Sequence, residues 1–399
     1  MSAEGPLPLS GLLAVEVSGS LSGALCGKIL ADLGARVIKL EPLGGDPPRR
    51  IGPFGNAVRR DETGAFHLFV NSGKESLALD LSHSDGRDIF ESLLERTDVL
   101  LLSGDMADIE ATGIVPETLS SEFEQLIVTR VTPFGVEGPH SRWKSDDIVL
   151  YAMSGWMHMT GAVDGPPMAS GGNLARMASG LAAASATLMA LNEREGSGRG
   201  QVVDVAEQEV LALMQPYTMV GYSYTGIERP RNGMPFPMTI VPAADGYLGI
   251  NVLTQAQWEA LCAFTGLLDL LEEERFSTPT LRAEHAWELT ERFAEWARDQ
   301  KKAEVFAAGQ EWRVPFGYVP KVNEIRELDQ HVAREFFTPV EHPHAGSLVF
   351  PSMPFTIDGQ RIGTSRAPLR GEHTAPILEQ ELGIPRDDIV RLAELGATL

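Results

Sequence analysis

Cysteine, positive charge and long apolar runs are all scarce in this sequence. Its 399 residues include only two cysteines, Cys26 and Cys262, which are too few for a disulfide framework and fit a reducing compartment. The chain has 33 Lys and Arg against 55 Asp and Glu, and a net charge of -22 disfavours binding to nucleic acid or to anionic membrane surfaces. No segment approaches the roughly 18 uninterrupted apolar residues of a membrane span. We therefore expect a cytoplasmic protein with no nucleic-acid partner and no membrane partner.

The signatures of several enzyme classes are missing as well. None of the nine histidines has the HExxH or paired spacing of a metal site, and His342 and His344 flank a proline in a predicted turn. The chain contains no P-loop, no GxSxG elbow and no Cys/His signature. We therefore expect no bound metal, and hydrolases of these types are disfavoured.

The elements that are present alternate between short apolar strands and helices. A buried strand is predicted at residues 12–17, and a small-residue stretch, SGSLSG, leads from it into a helix that Gly34 ends. Further strands are predicted at residues 36–40, 76–81, 99–102 and 126–131. Such alternation is typical of a mostly parallel sheet with helices on both faces. The predicted fold class is therefore α/β.

The middle of the chain has a different composition. Asn173 is a favourable cap for a long apolar helix over residues 174–193, which the segment GSGRG ends. After Tyr217, a Pro- and Gly-rich stretch leads to a hairpin-like segment at residues 244–252 and then to charged amphipathic helices. We predict a smaller second domain inserted within the larger one.

The loop after the first strand leaves two interpretations open. Its glycines and serines lie at a helix N-terminus, which favours an anion such as a phosphate, but the same residues also serve tight packing of a helix on a strand. Lys39, Arg49 and Arg50 add positive charge downstream, either for an anionic ligand or as part of a solvated surface. The residues alone therefore predict a cytoplasmic α/β protein with a candidate site for a phosphate-bearing ligand.

A series of motifs runs along the whole chain in a recognisable order. It starts with PLSGLLAVEVSGSLSGALCGKILADLGARVIKLEPLGGDPPR. The segments NSGKESLALDL, FGVEGP, AMSG, EREGSGRGQVVDV, ADGY, VPFGYVPKV, HPHAG, PSMPF and GEHT follow. This ordered set resembles the family III CoA-transferases, the group of carnitine-CoA transferase, formyl-CoA transferase and α-methylacyl-CoA racemase.

The resemblance implies a fold and an assembly. Members of this family have a Rossmann-like large domain built from both chain ends, which corresponds here to residues 1–216 and 321–399. A smaller domain comes from the middle of the chain, residues 217–320. Two protomers interlock as rings. The substrates are acyl-CoA thioesters and carboxylic acids, and no cofactor is tightly bound.

The resemblance also implies contacts to coenzyme A. The matching positions are Ser18, Ser22, Gly23, Lys39, Leu79, Ser103 and Gly135. The first three belong to the segment that closes over CoA, and Lys39 falls near a contact to its phosphates. The family's adenine-contacting ENF segment is altered to Leu102, Ser103 and Gly104, which removes an amide and an aromatic ring. This change is expected to weaken binding of the adenine, or it indicates a different ligand.

The position of the family's catalytic acid is also altered. Family members use an aspartate that attacks the acyl-CoA, forms a mixed anhydride and then carries CoA as a thioester. That aspartate lies four residues before a Gly-Leu pair near the start of the long helix. The pair here is Gly180-Leu181, and the matching residue is Arg176. A guanidinium is always charged and forms no anhydride, so the resemblance implies that the usual covalent route is closed at Arg176.

A second position connected with catalysis differs too. In the racemase branch a histidine precedes a shared aspartate, and the matching segment here is Ser145-Asp146-Asp147. Asp147 matches the aspartate and Asp146 replaces the histidine, so ordinary racemase chemistry is disfavoured. The two carboxylates either form a structural salt bridge with Arg176 or make a relocated acid/base site.

Three functions stay open at this point. The leading hypothesis is an aspartate-lacking subunit of a hetero-oligomeric CoA-transferase, paired with an aspartate-bearing paralogue. The second is a diverged acyl-CoA isomerase, dehydratase or lyase, as a homodimer, which uses Asp146, Asp147 or His158 for proton transfer. The third is a non-catalytic protein that binds an acyl-CoA, or a carboxylate ligand through Arg176.

Overall fold

The structure is a computed structural model that describes residues 6–55, 59–228, 231 and 235–399. This part of the chain forms two compact units. The larger unit contains residues 6–55, 59–158, 168–228 and 335–399, and the smaller unit contains residues 159–167, 231 and 235–334. Both chain ends therefore enter the larger unit.

The extent of the smaller unit differs from the predicted residues 217–320. A helix at residues 216–225 packs with the larger unit, and the chain up to residue 334 packs with the smaller one. Residues 159–167 also belong to the smaller unit, where Arg231 Nη2 donates to the carbonyl oxygen of Gly165 at 3.1 Å. Such contacts between distant segments leave no signal in local composition.

A six-stranded parallel sheet forms the centre of the larger unit, in the order β3-β2-β1-β4-β5-β6. Its strands are β1 (Leu13–Ser18), β2 (Arg36–Glu41), β3 (Glu75–Ala78), β4 (Val99–Ser103), β5 (Ile127–Thr132) and β6 (Val202–Ala206). The strand order reverses between β1 and β4, and ligands of open α/β sheets bind at such a switch point, outside the carboxyl ends of the strands. The predicted α/β fold with a parallel sheet is confirmed.

Helices cover both faces of this sheet. The helices between residues 21 and 225 are α1 (Leu21–Asp32), α2 (Ala65–Val70), α3 (Ser84–Leu94), α4 (Met106–Ala111), α5 (Pro116–Glu122), α6 (Asp147–Met153), α7 (Trp156–Met159), α8 (Leu174–Ser197), α9 (Glu207–Leu213) and α10 (Pro216–Thr225). Ala14 of β1 packs with Cys26 of α1 and Ala183 of α8 on one face. Val15 packs with Phe90 of α3 on the other face, because successive side chains of a strand point in opposite directions.

A glycine allows α8 to approach α1 closely. A Cβ added at Gly180 would lie 2.7 Å from the carbonyl oxygen of Ser22 and 2.8 Å from Cβ of Leu25. Among the described residues, α8 is the one helix with the length and apolarity of a membrane span. Its buried side consists largely of small residues, such as Ala183 and Ala184, that pack in the core with α1.

The smaller unit has its own antiparallel sheet and core. Its strands, in sheet order, are β7 (Met238–Ala243), β8 (Gly246–Asn251) and β9 (Phe316–Val319). Its helices are α11 (Gln255–Thr265), α12 (Asp269–Glu272), α13 (Pro279–Glu284), α14 (Ala286–Ala297), α15 (Lys302–Glu311) and α16 (Asp329–Ala333). Phe236, Trp258 and Phe293 are buried against one another at the centre of the core.

The chain re-enters the larger unit after residue 334. It forms the hairpin of β10 (Phe337–His342) and β11 (Gly346–Pro351), the hairpin of β12 (Thr356–Ile357) and β13 (Gln360–Arg361), and the helices α17 (Thr374–Gln380) and α18 (Arg386–Glu394). Ile377 and Ile389 join the core on the α3 face of the sheet, and Thr398 forms a β-bridge to Leu79 just after β3.

Buried charged side chains on and around β1 and β2 contact one another, and we call this set the charge network. Its seven members are Glu16, Lys39, Glu41, Asp46, Arg49, Glu62 and Lys74. Glu16 is fully buried and lies 2.8 Å from Nζ of Lys39 and 2.5 Å from Nζ of Lys74. Burial lowers the pKa of Lys74 to about 8. Each of these charges stays in the interior because an opposite charge contacts it.

The charge network also reaches the C-terminal part of the chain. Arg49 contacts both Glu41 and Glu62 at 2.6 Å, and its Nη1 donates to the carbonyl oxygen of Pro368 at 3.2 Å. Although burial opposes the shift, the Arg49 guanidinium lowers the pKa of Glu41 to about 2. Ser76 of β3 adds a hydroxyl donor to Glu41. The network therefore joins β1, β2 and β3 to the returning segment.

We expect Gly180→Ala to destabilise the protein by about 1–3 kcal/mol, because the added methyl group has no room beside the α1 backbone. Gly196→Ala is the matched control on the same helix. Nothing lies within 4 Å of its added Cβ, so this exchange should stabilise the helix by about 0.5–1 kcal/mol. Urea unfolding of the two variants measures both changes, and equal effects would contradict the close approach of α8 to α1.

Candidate functional site

A cavity of about 470 Å³ opens at the carboxyl edge of the sheet, beside the switch point between β1 and β4. Its wall includes the ends of β1, β2 and β4, the residues that follow β3, and part of α4. Most of its lining side chains are apolar, and its charged ones are Asp46, Asp80 and Asp108. Because nucleotides bind at this edge of open α/β sheets, the cavity is the candidate site for the nucleotide part of a ligand.

The structure brings together some of the predicted CoA contacts. Ser18, Leu79 and Ser103 line the cavity. Gly23 lies directly behind the wall, since a Cβ added there would lie 2.0 Å from Oγ of Ser103. Gly135, with φ +80, lies in the loop after β5 and is not a lining residue.

Lys39 is not placed where it would contact a phosphate. Its side chain is fully buried, and its ammonium contacts Glu16 and Asp46, each at 2.8 Å, and the hydroxyl of Ser18 at 3.0 Å. An ammonium has three donors, and these contacts use all of them inside the protein. The expectation of a phosphate contact is therefore corrected to a role in the charge network. Arg49 is buried in the same network, not at a solvated surface.

The serines of the first loop bond to one another and to a buried acid. Ser20 Oγ donates to Ser103 Oγ at 2.9 Å and lies 2.8 Å from Ser22 Oγ. Ser22 Oγ donates to Oε1 of Glu207 at 2.5 Å. Ser103, Ser20 and Ser22 therefore form a hydroxyl chain from the cavity wall to Glu207. The glycines and serines of this loop serve close packing and internal hydrogen bonds.

Arg176 lies in the first turn of α8 and forms an ion pair with Glu207. Its Nη1 is 3.2 Å from Oε2 of Glu207, and its Nη2 donates to the carbonyl oxygen of Ser145 at 2.7 Å. Glu207 is fully buried, and burial raises its pKa even though Arg176 acts in the opposite direction. The predicted salt bridge of Arg176 with Asp146 or Asp147 is therefore wrong, because the guanidinium contacts a different carboxylate.

Glu207 is the main residue of this site that the sequence analysis missed. It directly follows β6 and is the first residue of α9, so it lies at the same carboxyl edge of the sheet as the cavity. An acidic residue immediately after the apolar run at residues 202–206, VVDVA, is a signal that the sequence offers. The pairing with Arg176, 31 residues earlier, is not visible in the sequence.

Asp147 is the residue that caps α8. Its Oδ1 accepts from the backbone N–H of Arg176 at 3.1 Å, and the N–H of Ala175 also donates to it. Asn173, the predicted cap, has φ +54, and its side chain makes no capping hydrogen bond. Backbone N–H groups at the N-terminus of α8 are therefore satisfied by a carboxylate from the start of α6. Burial raises the pKa of Asp147.

The other candidate acid/base groups lie apart from the cavity. Asp146 is exposed, and its Oδ1 accepts from the backbone N–H of Asp147 at 2.7 Å as the cap of α6. His158 lies 3.0 Å from Glu228, and both side chains are largely exposed. Neither Asp146 nor His158 lines the cavity.

The start of α8 thus presents a cation held by a buried acid. The Arg176 guanidinium is not a nucleophile, and the Glu207 carboxylate is buried away from solvent. Asp147 Oδ1 accepts a hydrogen bond from the α8 backbone. Acyl transfer through a covalent intermediate needs an accessible nucleophile. These three residues link the helices α6, α8 and α9 but do not supply that nucleophile.

We expect Arg176→Met to destabilise the protein by about 3 kcal/mol at pH 8, because Glu207 would be left buried without its cation. Burial keeps the folded-state pKa of Glu207 above its unfolded value, so the folded state binds more protons and stability should fall as the pH rises from 5 to 8. Adding Glu207→Gln to this variant should restore most of the lost stability and make the free energy of unfolding less dependent on pH. Denaturant titrations at pH 5 and pH 8 measure these stabilities. A loss of stability that is the same at both pH values, and that Glu207→Gln does not restore, would contradict the ion pair between Arg176 and Glu207.

Asp146→Ala should lower the free energy of unfolding by about 1 kcal/mol, because α6 loses its cap. Asp146→Asn keeps a capping oxygen but removes the acid, and it should leave both stability and turnover nearly unchanged. Thermal unfolding and an activity assay separate the two effects. Loss of turnover in a fully stable Asp146→Asn variant would instead indicate acid/base catalysis.

Comparison with known proteins places this architecture in a family. A family model described as CoA-transferase family III matches residues 9–374. The chain is 29% identical over 381 residues to succinate–glutarate CoA-transferase of Agrobacterium fabrum, covering 94% of this chain and 95% of the relative. It is 30% identical over 397 residues to the subunit BbsE of succinyl-CoA:(R)-benzylsuccinate CoA-transferase of Thauera aromatica, covering 96% of each.

Solved structures agree with the sequence comparison. A CAIB/BAIF family protein from Brucella suis superposes with a TM-score of 0.84 at 28% identity, covering 94% of this chain and 99% of that one. A hypothetical protein from Mycobacterium tuberculosis gives a TM-score of 0.79 at 26% identity, covering 93% and 100%. Because the family model covers residues 9–374 and a relative is 30% identical over 96% of its length, this chain belongs to CoA-transferase family III.

Proposed function

We propose that this chain is the aspartate-lacking subunit of a hetero-oligomeric CoA-transferase, whose partner subunit carries the nucleophilic aspartate. The observation that carries the proposal is Arg176 in the first turn of α8, four residues before Gly180-Leu181, where the motif resemblance expects the family's aspartate. Its ion pair with Glu207 and its hydrogen bond to Ser145 give the arginine a structural role there.

The name of one relative supports a division of labour between two chains. The relative from Thauera aromatica is named as a subunit of a CoA-transferase, and it aligns with 96% of this chain. A family member that acts as one of two kinds of subunit does not need a complete set of catalytic residues of its own. The substrates of the proposed complex are an acyl-CoA thioester and a carboxylic acid.

In this proposal the chain contributes binding and architecture. The cavity at the switch point, lined by Ser18, Leu79 and Ser103, receives the nucleotide part of CoA. The partner's aspartate attacks the thioester carbonyl, which forms the mixed anhydride and releases the CoA thiolate. The thiolate then attacks the aspartyl carbonyl of the anhydride, which gives the enzyme-bound CoA thioester and releases the acyl group as a free carboxylate. This chain's residues orient the CoA and exclude water.

Exposed apolar side chains support a subunit contact. No residue of α10 is buried, although the helix carries Tyr217, Met219, Val220, Tyr222 and Tyr224, with Tyr224 90% exposed. Large apolar and aromatic side chains clustered on a surface mark protein contacts. We include an interlocked dimer with the paralogue in the proposal for this reason.

The contacts favour neither of the other functions. A relocated acid/base site would need Asp146 or Asp147 near the cavity, but both are helix caps and neither is a lining residue. A carboxylate ligand would need donors of Arg176, and Glu207 already pairs with that guanidinium. Both alternatives therefore lack a supporting observation.

We expect the chain purified alone to form no covalent CoA adduct when incubated with succinyl-CoA, because no nucleophile replaces the aspartate. Together with the aspartate-bearing paralogue it should catalyse transfer, with the adduct on the paralogue only. Intact mass analysis of both chains provides the measurement.

Two controls sharpen this experiment. Changing the paralogue's nucleophilic aspartate to asparagine should abolish both transfer and adduct while the complex stays assembled. In this chain, Arg176→Asp with Glu207→Gln places an acid at the proposed position without a second buried carboxylate, and it should gain an adduct. An adduct on the unaltered chain alone would refute the proposal.

A further inference from the structure

We propose that Arg87 is a positioning residue of the candidate CoA site, which joins two parts of the cavity wall and places a positive charge beside the phosphates of the ligand. This inference rests on the proposed function in that the ligand is CoA. It assigns a role to a side chain that does not itself line the cavity. The contacts of Arg87, its charge and the acidity of the wall carry the argument.

Arg87 lies at the start of α3 and donates from one nitrogen to two parts of the cavity wall. Its Nη2 lies 3.1 Å from the carbonyl oxygen of Leu81, in the loop after β3, and 2.6 Å from that of Thr112, at the end of α4. Leu81 and Thr112 both line the cavity. The guanidinium therefore fixes the distance between two segments of the wall that are far apart in sequence.

Two glycines let this guanidinium come close to the wall. A Cβ added at Gly86 would lie 2.0 Å from the carbonyl oxygen of Asp80, so α3 begins directly against the loop after β3. A Cβ added at Gly113 would lie 2.6 Å from Nη2 of Arg87. Gly113 also has φ +69, a backbone conformation that favours glycine. The backbone thus leaves a space at the end of α4 that the guanidinium fills.

Arg87 keeps its positive charge at this place. A guanidinium is always protonated and has five N–H donors, and the two carbonyl oxygens take only the donors of Nη2. Carbonyl oxygens carry no formal charge, and no carboxylate among the described residues forms an ion pair with Arg87. The contacts therefore hold the guanidinium beside the cavity without cancelling its charge.

The acidity of the wall gives this charge its importance. The charged side chains of the lining are the carboxylates Asp46, Asp80 and Asp108, and Asp46 pairs with Lys39 at 2.8 Å. Hydrogen bonds from Ser82 lower the pKa of Asp80, so this carboxylate is ionised at neutral pH. A carboxylate repels a phosphate, and a cation without an acidic partner offsets that repulsion. Arg87 supplies such a cation, in contact with the wall.

Ligands that differ in charge test the role of Arg87 in the full chain. Calorimetry measures the binding of CoA and ADP, and ligand-observed NMR measures that of adenosine, which has no phosphate. Arg87→Gln keeps an amide donor but removes the charge. We expect this variant to bind CoA and ADP about tenfold more weakly and adenosine with nearly unchanged affinity. Raising the salt concentration should narrow the difference between the two proteins, since screening weakens the attraction.

A conservative variant and a matched control assign the effect to Arg87. Arg87→Lys keeps the charge and should keep most of the affinity for ADP. Arg96→Gln removes the same charge just after α3, where the side chain is 58% exposed and lies outside the cavity, so all three affinities should stay unchanged. The shorter side chain of Arg87→Gln does not reach both carbonyl oxygens, so amide hydrogen exchange at residues 81–83 and 112–114 should become faster.

The outcomes separate this inference from the proposed function. Partial unfolding of Arg87→Gln would weaken ADP and adenosine equally, so the ratio of the two affinities reports the charge. An unchanged ratio, or unchanged hydrogen exchange, would overturn the inference and leave the CoA-transferase proposal standing. An equal effect of Arg96→Gln would overturn the assignment to Arg87. If the unaltered chain bound none of the three ligands, the inference would fall together with the CoA-binding role of this chain.

Discussion

The buried carboxylate of Glu16 is the constraint on which the larger unit depends. A charge with no solvent exposure in the middle of a parallel sheet is stable only while opposite charges contact it, here the ammonium groups of Lys39 and Lys74. A Cβ added at Gly27 of α1 would lie 2.0 Å from Oε2 of Glu16, so the helix approaches the strand where it has no side chain. The position of α1 in turn places the serines beside the cavity.

Much of the architecture follows from local patterns. The runs that become β1, β2 and β4 are short, apolar and bounded by polar residues, and each strand lies within a few residues of its prediction. The strand-helix alternation likewise predicts the parallel sheet, because only crossover helices connect such strands. These features depend on neighbours in sequence.

The features that the sequence did not reveal depend on distant partners. Lys39 has the same chemistry at a phosphate site and inside the charge network, and only the fold brings Glu16 and Asp46 to it. Asn173 is a good cap by residue type, but the carboxylate of Asp147 accepts the hydrogen bond at the N-terminus of α8. Asn173 instead takes a left-handed backbone conformation. In both cases a stronger, long-range electrostatic contact replaces the local preference.

The hydroxyl chain has a consequence for the cavity. Ser103, Ser20 and Ser22 each carry one proton. Ser22 donates to Glu207 and Ser20 donates to Ser103, so Ser103 Oγ already accepts a hydrogen bond from inside the protein. Neither Ser20 nor Ser22 then takes the Ser103 proton, and Ser103 lines the cavity. A wall whose charged side chains are all carboxylates thus keeps a neutral hydrogen-bond donor at Ser103.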